Sequence, residues 1–202
     1  MYHEPRLVTL GLNPGVAYDE ILSRCGIWTK RIAEQGYSYC FTRSPPTDPV
    51  VWRELHGTTS RYWDRLIKFA QRWLSDPNAD VQDILNFELY PWHSKSLTAG
   101  IETPAYLVER YIFEPIAEID VSEVFAFGAP WFKVAGNLMQ TRSVRQKMAP
   151  SKVLGDSDSA YWTMGLYELP SQQTLVVSSQ SGSAGPPGEI RMETFRRVVN
   201  SV

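Results

Sequence analysis

A chain of 202 residues with 20 Lys and Arg against 22 Asp and Glu has a net charge of −2 and a pI of 5.9. Charge so near balance excludes a global field that recruits polyanions, so a nucleic acid has to be held by a local patch. Two cysteines, Cys25 and Cys40, exclude a four-thiolate zinc or iron–sulfur centre and are read as free thiols of a reducing compartment. The length fits one domain over residues 1–202. Residues 1–6 are polar, with no leader pattern, and no apolar run reaches a membrane span, so a cytoplasmic, membrane-free protein is expected. In chain order, Leu7–Gly11 reads as a buried strand that runs into Gly11-Leu12-Asn13-Pro14-Gly15. Residues 59–74 place Tyr62, Leu66, Phe69, Ala70 and Trp73 three and four apart, with Arg61, Arg65, Lys68 and Arg72 largely elsewhere, which predicts an amphipathic helix. A second buried strand is predicted over 83–89. A helix follows over 104–116, capped by Thr103 with Pro104 in its first turn. A third strand is predicted over 121–128, an additional one over 161–169 and the last over 174–178; a closing helix spans 189–199. Strands alternating with helices predict an α/β fold, three-layer α/β/α around a mainly parallel, four-stranded central sheet.

Four segments at or near the strand ends look like parts of one site. The first is Gly11 to Gly15, where Pro14 fixes φ and the flanking glycines allow close approach, so Asn13 is held rigidly at the mouth. The second, 39–46, carries Phe41 before a Pro-rich turn. The third, 86–93, carries Asn86, Glu88 and His93, and the fourth spans 179–188. Asn86 in an apolar strand needs several partners. Glu88, two residues on, shares its face and is either an acceptor for a ligand's amino group or a solvated, salt-bridged carboxylate. Arg142, Arg145, Lys147 and Lys152 form a basic stretch, read as a solvated loop and as the best candidate for phosphate contacts. Asn13 is also readable as a turn residue, Phe41 as core and His93 as a surface histidine. Ser181 and Ser183 lack a GxSxG turn.

The order of these segments resembles the uracil-DNA glycosylase superfamily over nearly the whole chain. GLNPG is most similar to the mismatch-specific, thymine-DNA and single-strand-selective branches, which carry Asn in the first motif. The resemblance puts Asn13 in the catalytic, water-orienting position, with Gly11, Leu12, Pro14 and Gly15 around it. Phe41 falls on the base-stacking position and Asn86 on the base-reading one. Ser179, Gln180, Ser181, Gly182 and Ser183 fall on the DNA-gripping loop. What it implies is a monofunctional DNA glycosylase acting on a flipped pyrimidine as a monomer, with DNA as partner and neither metal nor cofactor.

Three positions depart from the superfamily. Ser179 replaces the motif His, and His93 is a candidate to take its place. Gly15 replaces a pocket-closing Tyr, and Ser183 or Gly185 replaces the intercalating wedge. A roomy pocket and Glu88 point to a C5-modified cytosine, such as the glucosylated hydroxymethyl form in phage DNA, excised as antiviral defence. Uracil or mispaired thymine in repair is the alternative substrate. The rival class is a non-catalytic module that binds a nucleotide or single-stranded DNA by stacking.

Overall fold

The computed structural model describes residues 4–12, 26, 30, 33–34, 53, 56–58, 60–90, 102–140, 146–152, 161–180 and 185–200. In chain order they form β1 Leu7–Gly11, α1 Arg61–Trp73, β2 Ile84–Glu88 and a helix α2 over 105–117. Then come β3 Glu123–Phe127, α3 Pro130–Gln140, β4 Gln146–Lys152, β5 Tyr161–Glu168, β6 Thr174–Gln180 and α4 Glu189–Val199. The strands make one mixed sheet in the order β2-β1-β3-β6-β5-β4. β2, β1, β3 and β6 are mutually parallel, whereas β5 runs antiparallel to both β6 and β4.

Among the described residues the sheet therefore has six strands, where four were expected. The four parallel strands lie at the expected places. β5, expected as an addition, joins the same sheet, and β4 lies where a basic loop was expected. Gln-Lys-Met-Ala-Pro-Ser-Lys has no apolar alternation, so nothing local marks it as a strand. Its ladder with β5 does. β6 also runs two residues further than expected, because Ser179 and Gln180 pair with Thr163 and Trp162 of β5.

Strand alternation sorts the sheet residues into two cores. Val8, Leu10, Val124, Ala126, Leu175 and Val177 cluster with Val108, Ile112 and Ile116 of α2 and with Trp131, Ala135 and Leu138 of α3. Leu7, Ile84, Phe125, Phe127 and Val176 cluster with Trp63, Leu66, Phe69 and Ala70 of α1 and with Met192, Phe195 and Val199 of α4. The second core is aromatic: Phe69 meets Phe125, Phe127 and Phe195 edge to face at centroid distances of 5.1, 5.4 and 5.8 Å.

α2 changes pitch along its length, with α-helical Ala105–Val108 and Glu114–Ala117 around a wider π-helical turn, Glu109–Phe113. Pro115 has no N–H for the Tyr111 carbonyl four residues back, and its ring crowds that group. The wider turn, in which Glu114 N–H bonds Glu109 O, relieves the conflict. α3 escaped the sequence reading, although Pro130 in its first turn and the four-and-three spacing of Trp131, Ala135 and Leu138 are helix signals.

Candidate functional site

β1 leads to β2 on one side of it, and β2 leads back across to β3 on the other. The sheet thus reverses its winding at β1, and the crevice beyond the carboxyl ends of β1 and β3 is where such sheets bind ligands. Gly11 and Leu12 stand at that point. Gly128, just past β3, has φ +117°, and a Cβ there would lie 2.8 Å from Leu12 Cδ1. Glycine is needed on both grounds, and Leu12 rests directly on the Gly128 backbone. The Gly11 carbonyl accepts from Leu89 N at 3.1 Å and from the buried Trp131 Nε1 at 3.0 Å. Tyr90 N donates to Leu12 O at 2.8 Å. The end of β1 is therefore bound on both flanks before Asn13 begins.

Register then builds a polar cluster. Thr9 lies opposite Asn86 and Gly11 opposite Glu88, so all four share the face covered by α1. Thr9 Oγ1 donates to Asn86 Oδ1 at 2.8 Å, and Tyr62 OH of α1 donates to the same oxygen at 3.1 Å. Asn86 Nδ2 donates to Glu88 Oε1 at 2.8 Å. The amide is locked in one orientation. Both lone pairs of its oxygen are used, and one N–H has no partner among the described residues. Asn86 therefore offers a single donor rather than the donor and acceptor of an unconstrained amide.

Glu88 is half-buried and makes no salt bridge among the described residues. Its Oε2 is buried without a hydrogen-bond partner. Burial pushes the carboxyl up to about 7, against the lowering effect of the Asn86 hydrogen bond. Burial, and then the Glu88 charge, hold the Tyr62 phenol well above its usual range, although its bond to Asn86 lowers it. Gly11 makes room for this pair: a Cβ there would sit 2.4 Å from Glu88 Oε2 and 2.7 Å from Tyr62 OH. A side chain at Gly11 would thus displace the Glu88 carboxyl and the Tyr62 hydroxyl.

Other expected site residues are spread across the sheet. Ser179, half-buried, and Gln180 are strand residues of β6, three strands from Asn86. Lys147 lies on β4, at the opposite edge from β2, roughly 24 Å away at a strand spacing of about 4.8 Å. β4 runs in the same direction as β6, so its carboxyl-edge lysine is Lys152, opposite Tyr161, whereas Lys147 is opposite Leu166. Asn13, Pro14, Gly15, Phe41, His93, Arg142, Arg145, Ser181, Gly182 and Ser183 lie outside the described residues.

Sequence reasoning missed Thr9 and Tyr62. A signal existed: a hydroxyl in an apolar strand, and a Tyr in an apolar helical stripe, each require a polar partner once buried. Among the described residues, no group of three or more His, Cys, Asp or Glu side chains could hold a metal ion, and no helix is long and apolar enough to cross a membrane. Comparison of the chain with known protein families, with characterised proteins and with solved structures finds no match.

Proposed function

We propose that this protein is a monofunctional DNA glycosylase that hydrolyses the N-glycosidic bond of a flipped pyrimidine. The proposal includes the three-layer α/β/α architecture of the uracil-DNA glycosylase superfamily, with DNA as partner and no cofactor. The supporting observation is the Asn86 amide, fixed by Thr9, Tyr62 and Glu88 in β2, two residues before the carboxyl end of that strand and beside the switch point of the sheet. Discriminating a base requires a polar group that cannot turn to suit the wrong partner, and this amide cannot turn. Its remaining N–H and the Glu88 carboxyl form an adjacent pair suited to two neighbouring positions on a pyrimidine edge. Asn13, two residues beyond Gly11, is assigned to orient the attacking water, and Phe41 to stack on the base. An Asn cannot take a proton as a carboxylate can, so turnover is slow. A C5-modified cytosine, such as glucosylated hydroxymethylcytosine of phage DNA, is the proposed substrate.

The test is a panel of oligonucleotides carrying uracil, mispaired thymine, hydroxymethylcytosine or its glucosylated form. Each is incubated with the protein, treated with hot alkali and resolved on a gel. Alkali-labile breaks at the modified cytosines support the reading, and breaks at uracil or thymine move it to repair. Binding without any alkali-labile site would make the protein a nucleic-acid binding module instead. Asn13→Ala is expected to lose about 10²-fold or more of single-turnover excision while DNA binding persists. Near-normal excision by this variant would remove Asn13 from its role.

A further inference from the structure

We propose that Glu88 is a catalytic residue that donates a proton from Oε2 to the departing cytosine. This rests on the glycosylase reading and adds to it the identity of the leaving-group acid. The geometry carries it. Glu88 Oε1 is committed to Asn86 Nδ2, whereas Oε2 is buried with no hydrogen-bond partner among the described residues. A protein leaves a carboxyl oxygen in that condition at a cost unless a ligand completes it. Oε2 stands at the last residue of β2, against the last residue of β1, at the carboxyl edge of the sheet.

The carboxyl is neutral or ionised in comparable measure near pH 7, because burial raises it to about that value. In the neutral form Oε2–H and the spare Asn86 N–H are two adjacent donors. Cytosine presents two adjacent acceptors, N3 and O2; uracil has an N–H between its two carbonyls. The neutral site therefore fits cytosine. It also meets a chemical need. Uracil departs as a stabilised anion, but cytosine is a poor leaving group unless it is protonated.

The step balances as follows. Water attacks C1′ while the C1′–N1 bond breaks and its electron pair passes to the base. The Oε2 proton moves to N3, so the base leaves neutral and Glu88 becomes a carboxylate. The water oxygen stays on C1′, and the proton it sheds returns Glu88 to the acid form. Among the described residues the titratable group facing Glu88 is the Tyr62 phenol of α1, which donates to Asn86; β1 contributes Thr9 and Gly11, which do not titrate.

The test measures single-turnover excision from pH 5.5 to 9 on two matched oligonucleotides, one with glucosylated hydroxymethylcytosine and one with uracil. For the wild type, the rate on the cytosine substrate is expected to fall about tenfold per pH unit above about 7, while the rate on uracil lacks that limb. Glu88→Gln keeps a hydrogen-bonding group of the same shape but cannot give a proton. It should lose about 10²-fold or more on cytosine and lose the pH limb. A flat wild-type profile on the cytosine substrate, or a Glu88→Gln variant that matches the wild type there, overturns the role of Glu88 alone. The wild-type profile decides the matter even where the variant folds poorly. Absence of base release by the wild type from any substrate overturns the glycosylase reading and this role with it.

Discussion

Glu88 and Gly11 are coupled through space rather than through sequence. Gly11 carries a hydrogen because Glu88 Oε2 and Tyr62 OH fill the position of its missing Cβ. Alanine is otherwise a better strand residue than glycine, so the sign of Gly11→Ala depends on that contact alone. Overpacking there is expected to cost about 1–3 kcal/mol in urea denaturation. In a Glu88→Ala background the cost should shrink by about 1 kcal/mol or more, because the nearer obstacle is gone. Strict additivity of the two substitutions would show that the carboxyl is not the obstacle. Glu88 also sets a pH dependence of stability. Its folded value of about 7 lies above the unfolded 4.5, so between them the folded chain holds a proton that the unfolded chain has released. Stability from this group is full below about pH 4.5 and is lost as pH rises through about 7, by at most about 3 kcal/mol. Wild type should therefore lose stability relative to Glu88→Gln across that window. Parallel stability curves for the two proteins would contradict it.

At the scale of elements, α4 holds α1 in place by capping it. The last carbonyls of a helix have no partner within it. Arg196 of α4 supplies one: its Nη2 donates to Arg72 O and, at 3.0 Å, to Trp73 O, and its guanidinium lies 5.6 Å from the centre of the Trp73 ring. Positive charge at this end also complements the helix dipole. Since Tyr62 of α1 fixes the Asn86 amide, this cap supports the site from a distance. Arg196→Ala is expected to cost about 1–2 kcal/mol in thermal unfolding. Arg196→Lys keeps the charge without the planar fork and should recover less than half of that loss. Full recovery by lysine would reduce the cap to a charge effect. The β5–β6 hairpin shows a comparable local device. Pro170, Ser171 and Gln172 form its loop, with Gln172 at φ +69° in the left-handed region, and Leu169 and Gln173 close it through Leu169 N to Gln173 O at 2.9 Å.

For the molecule as a whole, the sheet order places the least and most protected strands at predictable positions. β1 and β3 are flanked on both sides and sandwiched between the two cores, while β4, among the described residues, is an outer strand paired with β5 alone and carrying Pro150. Pro and Lys on such an edge also discourage pairing with another copy. Amide hydrogen exchange should be slowest in β1 and β3 and much faster in β4, whose opening leaves the parallel core intact. Uniform protection across all six strands would show that the sheet opens only as one unit.

Much of this architecture is carried by local pattern. Buried parallel strands have apolar runs such as Leu7–Gly11, and α1 and α4 have helical spacing, so the α/β class and the order of these elements are readable from the residues. Period-two alternation likewise places Asn86 and Glu88 on one face. β4 is not readable, because its residues gain strand structure only from the β5 ladder. The extra length of β6 and the burial of Ser178 have the same origin. The character of the site depends on tertiary structure alone. Nothing in the sequence says that Thr9 lies opposite Asn86, or that Tyr62 of a distant helix reaches the same oxygen. Those contacts turn a two-faced amide into a single donor. The burial of Glu88 Oε2 against Gly11 turns a carboxylate readable as either a ligand's acceptor or a solvated group into one poised near neutrality. A residue's hydrogen-bonding partners and its loss of water are set by segments far away in the chain, and they determine its chemistry more than its own identity does.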